Sequence, residues 1–424
     1  MKIHIIGIAG TMTAALAVAL KKEGHQITGS DQDKIYPPIS TTLNSAKIKI
    51  NNTNINKNID LAIIGSSYNS FEKTRTEFEQ IKKLKIKYIS ATEYIAKYVS
   101  KNNPILVAGS YGKTTITSLL VWIFKKANLN PSYMFGGQSL NKFDSLDITK
   151  SDWSIIEADE SINGLDTQAK FLYYPAKYLI LTSAQWEHKD SYKSESENFN
   201  AFKKLVSNLP KNGLLVINKL GFKTQELSKL TKARIVTYET QTDGNYDYEN
   251  KLAAITLCQE LGINKKIIDK AVATFKGVKR RLELVADSNN ILFFDDFAQS
   301  APRIKSTIEA LKLKYPKRKI KVFYLPHASF LQYKDSLIGL KDAFNGAVEI
   351  VLGQIKFNKD ISKEDRVSAS DFKKEIGSKL IYLPTEQDII KHYQQSLVGN
   401  DILIYMSSGG LSSQKTFKKI IKYV

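Results

Sequence analysis

Residues 105–120 constrain this chain more than any other stretch. They read Ile-Leu-Val-Ala-Gly-Ser-Tyr-Gly-Lys-Thr-Thr-Ile-Thr-Ser-Leu-Leu. The apolar run 105–108 predicts a buried strand, and Leu119, Leu120, Ile123 and Phe124 predict one face of a following helix. Between them lies Gly109-Ser110-Tyr111-Gly112-Lys113-Thr114-Thr115, a phosphate-binding loop with two residues between the glycines instead of four. Glycines let the backbone curl so that several N–H groups face one anion at the positive end of a helix. In such a loop Lys113 neutralises β/γ-phosphate charge and the Thr114 hydroxyl ligates Mg²⁺. The alternative is an ordinary strand-turn-helix corner with a solvated lysine. The coincidence of strand, glycines, Gly-Lys-Thr and helix in this order favours nucleotide binding.

At 424 residues the chain is too long for one typical domain. Its 42% apolar and 25% charged residues describe a globular protein with ample core. The single cysteine, Cys258, excludes an internal disulfide framework and suits a reducing cytoplasm. A net charge of +20 raises the question of nucleic acid, but the lysines are scattered through every segment, so we expect no nucleic-acid partner. An anionic small substrate suits that charge equally well. The first twenty residues split into a strand and a helix rather than a leader, and no run of 18 apolar residues predicts a membrane span. We expect a cytoplasmic monomer or weak homodimer.

Residues 1–102 predict a Rossmann-like unit: strand 2–6, glycine turn Gly7-Ile8-Ala9-Gly10-Thr11, helix 12–22, strand 26–29, then Asp31. The third glycine of the dinucleotide fingerprint is missing, so a nucleoside-diphosphate sugar fits this turn better than NAD. A nucleotide-free layer is the other reading. Further strands are expected at 61–65, ending in Gly65-Ser66-Ser67, and at 87–90, before a polar hinge at 100–104. Residues 103–285 carry the phosphate loop. Strand 153–156 ends in Glu157-Ala-Asp-Glu160, where a metal-coordinating acid belongs, and strand 178–182 leads to His188 between Glu187 and Asp190, a metal or a structural histidine. Strand 214–218 and helix 250–261 follow, then the basic turn 275–283. Residues 286–424 predict a third α/β unit, with strands at 290–294, 319–325, 348–352 and 401–406 and a parallel sheet. The fold class is thus α/β in three domains: Rossmann-like, central P-loop ATPase-type, and Rossmann-like again.

These segments together resemble the Mur ligase family, the ATP-dependent amide-bond ligases of peptidoglycan synthesis. The family's loop has the same two-residue gap and commonly ends Gly-Lys-Thr-Thr, as Gly112 to Thr115 does. Glu157-Ala-Asp-Glu160 is similar to its central acidic motif, Gly277 to Glu283 to its Arg-Arg segment, and Asp295-Asp296-Phe-Ala to the start of Asp-Asp-Tyr-Ala-His. Thr28-Gly-Ser-Asp31, Tyr36-Pro-Pro-Ile-Ser-Thr41 and Met406-Ser-Ser-Gly-Gly410 resemble the members that join a murein tripeptide to UDP-N-acetylmuramate in peptidoglycan recycling. The L-alanine-adding members rank second.

The resemblance implies that ATP, with Mg²⁺, phosphorylates the lactyl carboxylate of UDP-N-acetylmuramate, and that the tripeptide's amine displaces the phosphate. It makes Lys113, Glu157 and His188 catalytic, with Thr114, Glu157 and His188 on metal. It assigns Gly109 to Thr115, Asn250, Arg281 and Asp295 to the nucleotide, and Gly7, Ala9, Gly10, Thr11, Asp31 and Ser66 to the UDP-sugar. The sequence also departs from the family. Ser183 and Gln185 stand where Asn and Glu are usual, Tyr246-Asp247 replaces a His-Asn pair, Gln299 replaces the histidine of Asp-Asp-Tyr-Ala-His, and Ala328 replaces an arginine. A ligase-like nucleotide or UDP-sugar binder with reduced catalysis is the remaining alternative.

Overall fold

The computed structural model describes residues 1–32, 35, 39–50, 55–186, 191–239, 246–326, 334–355, 366–409 and 411–424. Among these the strands form three sheets. The first holds β1 (Lys2–Ile6), β2 (Gln26–Ser30), β3 (Lys49–Ile50), β4 (Leu61–Ile64) and β5 (Tyr88–Ser90), in the order β3-β2-β1-β4-β5 with every pairing parallel. Parallel strands need crossovers on the sheet faces, and the helices Thr11–Lys22, Ile39–Ser45 and Glu72–Lys83 supply them. Strand order reverses between β1 and β4. That is where an open α/β sheet leaves a crevice beyond its strand ends, and the glycine turn after β1 and Gly65-Ser66-Ser67 after β4 lie there.

The second sheet comprises β6 (Asn103–Ala108), β7 (Ser132–Met134), β8 (Leu146–Asp147), β9 (Trp153–Glu157), β10 (Tyr178–Leu181), β11 (Leu214–Asn218) and β12 (Arg234–Tyr238). Its order is β12-β11-β10-β6-β9-β7-β8, parallel except where β8 runs against β7. Ile105 to Ala108 of β6 are fully buried, as a strand covered on both faces requires. With β9 and β10 as its immediate neighbours, β6 delivers its glycine loop between their ends.

The third sheet contains β13 (Glu283–Ser288), β14 (Ile291–Asp296), β15 (Lys319–Tyr324), β16 (Ala347–Leu352), β17 (Leu380–Tyr382) and β18 (Asp401–Met406), ordered β13-β14-β18-β15-β16-β17. Here β13 and β14 form an antiparallel hairpin, and all other pairings are parallel. Asn289 and Asn290 turn it with φ of 51° and 59°, the two left-handed residues that a tight hairpin of the right twist demands.

The α/β class is as read from the sequence, and β1, β11 and β18 have the bounds expected of them. Three features differ. The proline expected to close a hinge, Pro104, is the second residue of β6, where its missing N–H is tolerated near a strand start. The third sheet is not wholly parallel, and the 285/286 boundary falls inside β13. Strands β7 and β12 and the helices Glu72–Lys83, Glu195–Ser207 and Lys265–Thr274 were not anticipated. The chain gathers into two compact units, one of residues 1–239 with 249–278 and one dominated by residues 279–424.

Within the first unit a loop after β9 meets the exit of β4. Gly164 has a φ of 96°, and a Cβ added there would stand 2.4 Å from the Ser66 carbonyl oxygen and 2.7 Å from its Cα. Both the backbone angle and the contact require glycine. Gly164→Ala should therefore destabilise the first unit by about 1–3 kcal/mol, read as a lower urea midpoint at unchanged slope.

Candidate functional site

The phosphate loop is held from both sides. Gly109 and Gly112 have φ of 126° and 80°, and Gly112 is the N-cap of the helix Lys113–Lys126. A Cβ on Gly109 would lie 2.2 Å from the Thr182 hydroxyl, and one on Gly112 would lie 2.2 Å from Asn250 Oδ1. Asn250 thus packs directly on the loop. From the exit of β10, the Thr182 hydroxyl donates to the Tyr111 carbonyl at 2.7 Å. Ser110, expected among the phosphate-binding groups, instead turns both donors toward that exit. Its N–H reaches the Ser183 carbonyl at 3.0 Å and its hydroxyl the Gln185 carbonyl at 2.9 Å. The first loop-to-helix hydrogen bond is Ile116 N–H to the Gly112 carbonyl. The N–H groups of Lys113, Thr114 and Thr115 therefore remain at the helix mouth, an arrangement that suits an anion with the helix dipole behind them.

Three acids lie at the end of β9, Glu157 as its last residue and Asp159 and Glu160 just beyond, and each has its own partner. Glu157 Oε1 accepts from the Thr114 hydroxyl at 2.8 Å, and its Oε2 accepts from Gly136 N–H at 2.6 Å. Asp159 pairs with Lys170 at 3.1 Å. Glu160, fully buried, accepts from Lys113 Nζ at 2.7 Å. Burial pushes the Lys113 ammonium down. The charge of Glu160, then that of Asp159 and Glu157, outweighs this and holds it above its ordinary value.

Thr114 and Glu157 fit a hard cation. Adjacent ligands of a Mg²⁺ octahedron with bonds of 2.0–2.1 Å stand ~2.9 Å apart, close to the 2.8 Å between these two oxygens. His188 lies outside the described residues, as do Glu187, Asp190, Tyr36, Pro37, Pro38, His327, Ala328 and Gly410.

At the N-terminal sheet, Gly7 (φ 75°) and Ile8 donate their N–H groups to the Ser30 carbonyl at 2.9 and 3.1 Å. Thr13 donates to the carbonyls of Gly7 and Gly10 at 2.7 and 3.1 Å. Asp31 is buried, and its two oxygens accept Ala9 N–H and Gln32 N–H, each at 2.8 Å. It fixes the turn's shape, while Gly10 and Thr11 open the helix Thr11–Lys22. Ser66 sits across from this turn, under Gly164.

In the second unit, Arg280 and Leu282 take left-handed φ of 59° and 49°, which curls the basic turn onto the end of β14. Arg280 Nε lies 3.3 Å from Asp295 Oδ1, and its Nη1 donates to the Gly409 carbonyl at 2.6 Å. Gln414 donates to the other Asp295 oxygen. Asp296 accepts Leu282 N–H at 2.6 Å and Ala298 N–H at 2.7 Å, and Arg280 and Arg281 both lie over the Phe297 ring, 5.0 and 5.3 Å from its centre. Arg280, not singled out from sequence, is thus the arginine on Asp295. Gln299 is anchored too: its carbonyl accepts the Tyr324 hydroxyl at 2.8 Å and its Oε1 the Ser408 hydroxyl at 2.5 Å. Asp247 is exposed at the start of the helix Tyr246–Glu260.

Burial raises the Asp295 carboxyl to about 6, with Arg280 and Gln414 pulling the other way. Its folded value lies above the unfolded one of about 3.9, so the folded state holds the proton longer. Stability contributed by the neutral acid is present below pH 4 and is lost as the pH rises through 6. The loss is about 2–3 kcal/mol, and Asp295→Asn should flatten the slope between pH 4 and 6 in urea unfolding of the second unit.

Comparison with known proteins agrees with this geometry. Residues 2–102 match the Mur ligase family catalytic domain, and residues 107–271 match the Mur ligase middle domain. A UDP-N-acetylmuramate–L-alanine ligase of Pelagibacter ubique is 27% identical, over 97% of this chain and 96% of that protein. A UDP-N-acetylmuramate–L-alanyl-gamma-D-glutamyl-meso-2,6-diaminoheptandioate ligase of Escherichia coli is 29% identical, over 74% of this chain and 76% of that one. The fold is shared with a UDP-N-acetylmuramate-alanine ligase of Thermotoga maritima, at a TM-score of 0.78 and 20% identity over 100% and 98% of the two chains. A murein peptide ligase of Psychrobacter arcticus gives 0.69 and 23% over 100% and 98%. With its glycine loop, acid triplet and N-terminal glycine turn placed as described, the chain belongs to the Mur ligase family of ATP-dependent amide-bond ligases.

Proposed function

We propose that this ligase joins the lactyl carboxylate of UDP-N-acetylmuramate to the amino group of the tripeptide L-alanyl-γ-D-glutamyl-meso-diaminopimelate. The observation that carries the reading is the constellation of Lys113, the helix-mouth N–H groups and the Thr114–Glu157 oxygen pair at the centre of the second sheet. In the reaction a carboxylate oxygen attacks the γ-phosphorus and ADP leaves, forming an acyl phosphate. The amine then attacks the acyl carbon, loses a proton, and inorganic phosphate departs. Lys113 and the loop N–H groups stabilise charge on the transferring phosphoryl group. Thr114 and Glu157 would hold one Mg²⁺ and His188 a second, and these ions would offset the negative charge of the reacting phosphoryl group. The turn from Gly7 to Thr11, with Ser66 opposite, receives the UDP-sugar, and Asp31 keeps that turn in shape. Arg281 and Asp295 are assigned to the nucleotide.

The tripeptide is favoured by Thr28 to Asp31 with Tyr36-Pro37-Pro38 and by the 29% identity to the Escherichia coli tripeptide ligase. L-alanine is the second reading, because L-alanine ligases are similar along nearly the whole chain. No described helix is long and apolar enough to cross a membrane, and a cytoplasmic substrate pool suits both readings.

Phosphate release from ATP should require UDP-N-acetylmuramate and the tripeptide together, with the amide product seen by mass spectrometry. Product with L-alanine alone selects the second reading. ATP binding without product from either acceptor rejects both. Lys113→Ala should lower phosphate release by about a hundredfold or more.

A further inference from the structure

Beyond the loop residues, the geometry points to Glu160 as a positioning residue that aims the Lys113 ammonium at the transferring phosphate. This inference rests on the proposed phosphoryl transfer. A lysine head has three N–H donors on a flexible four-carbon stem. Two are already committed, to the Gly109 carbonyl and to Glu160 Oε2, each at 2.7 Å. Neither anchor can swing. Gly109 sits against Thr182 and Ser183 with no room for a Cβ, and the Glu160 side chain is 1% exposed, its own carbonyl taking the Tyr192 hydroxyl. Fixing two donors directs the third toward the helix mouth.

No neighbouring acid can take this task. Glu157 is engaged by Thr114 and Gly136, and Asp159 by Lys170 and Ser161. Glu160 thus supplies an acceptor that fixes the direction of the lysine head before ATP arrives. Preorganisation of this kind removes the ordering of the lysine from the barrier.

The test compares Glu160→Ala and Glu160→Gln in the full chain. At saturating acceptor and UDP-sugar, Glu160→Ala should lower kcat about tenfold or more, with a smaller change in the KM for ATP. Glu160→Gln keeps a carbonyl oxygen for the ammonium and should recover most of that loss. In urea, Lys113→Ala strands a buried carboxylate, and adding Glu160→Gln should restore the midpoint. A folded Glu160→Ala variant with kcat within about twofold of wild type, or a Glu160→Gln variant as impaired as Glu160→Ala, overturns the inference. If the wild type itself makes no product, the proposed function fails separately, and nucleotide binding decides for Glu160. Loss of the preference for ATP over ADP in Glu160→Ala upholds the positioning role, and an unchanged preference overturns it.

Discussion

Charge balance around one buried ammonium organises the end of the second sheet. In the proposed reaction Lys113 must be charged to meet a triphosphate, yet it sits where burial disfavours charge. The sheet order resolves the conflict. Because β9 is hydrogen-bonded directly beside β6, the acids that follow it emerge beside the lysine that follows β6. Opposite charges brought together by strand pairing need no long, costly loop to find each other. On the other side β10 contributes no acid among the described residues and works through neutral groups, the Thr182 hydroxyl and the carbonyls of Ser183 and Gln185. One flank sets the electrostatics and the other sets the backbone shape.

A second constraint links the two ends of the proposed reaction. A carboxylate carried by a sugar at the glycine turn has to reach a phosphoryl group at Lys113. The loop that leaves Glu160 runs through Gly164 onto Ser66, opposite that turn, at a separation no side chain tolerates. A peptide segment fixed at one end by Glu160 and at the other by Ser66 spans both places. Steric demand for glycine at residue 164 thereby holds the loop after Glu160 against Ser66.

Legibility in the sequence followed the strength of the local signal. Central strands such as Leu214–Asn218 and Asp401–Met406 are continuous apolar runs, and their bounds could be read directly. Glu72–Lys83 could not, since ten of its twelve residues are charged, threonine or glutamine, and its apolar face is Phe78 and Ile81 alone. The glycine loop was legible because strand, turn and helix signals coincide between Ile105 and Phe124, and the first acid because it ends an apolar run. Glu160 was visible as a letter of the acidic motif but not as the partner of Lys113, 47 residues away. Thr182 had no motif of its own, and Arg280 was visible as a letter of the Arg-Arg segment but not as the partner of Asp295. What identifies them is strand adjacency and a left-handed turn, which appear only in three dimensions.

Departures from the family pattern look different once their contacts are known. Ser183 and Gln185 hold the phosphate loop through backbone carbonyls, an interaction indifferent to the side chain attached. Replacing the usual Asn and Glu there leaves the loop's scaffold intact and changes only what those side chains present to a ligand. Gln299 likewise has its carbonyl on Tyr324 and its amide oxygen on Ser408, so the residue in place of histidine is built into the second unit rather than left idle. The side chains that the proposed transfer would use, Lys113, Thr114, Glu157 and Glu160, have their partners within 2.8 Å. At Ser183 and Gln185 substitution has therefore fallen where main-chain carbonyls make the contact, and the Lys113–Glu160 and Thr114–Glu157 pairs are formed beside them.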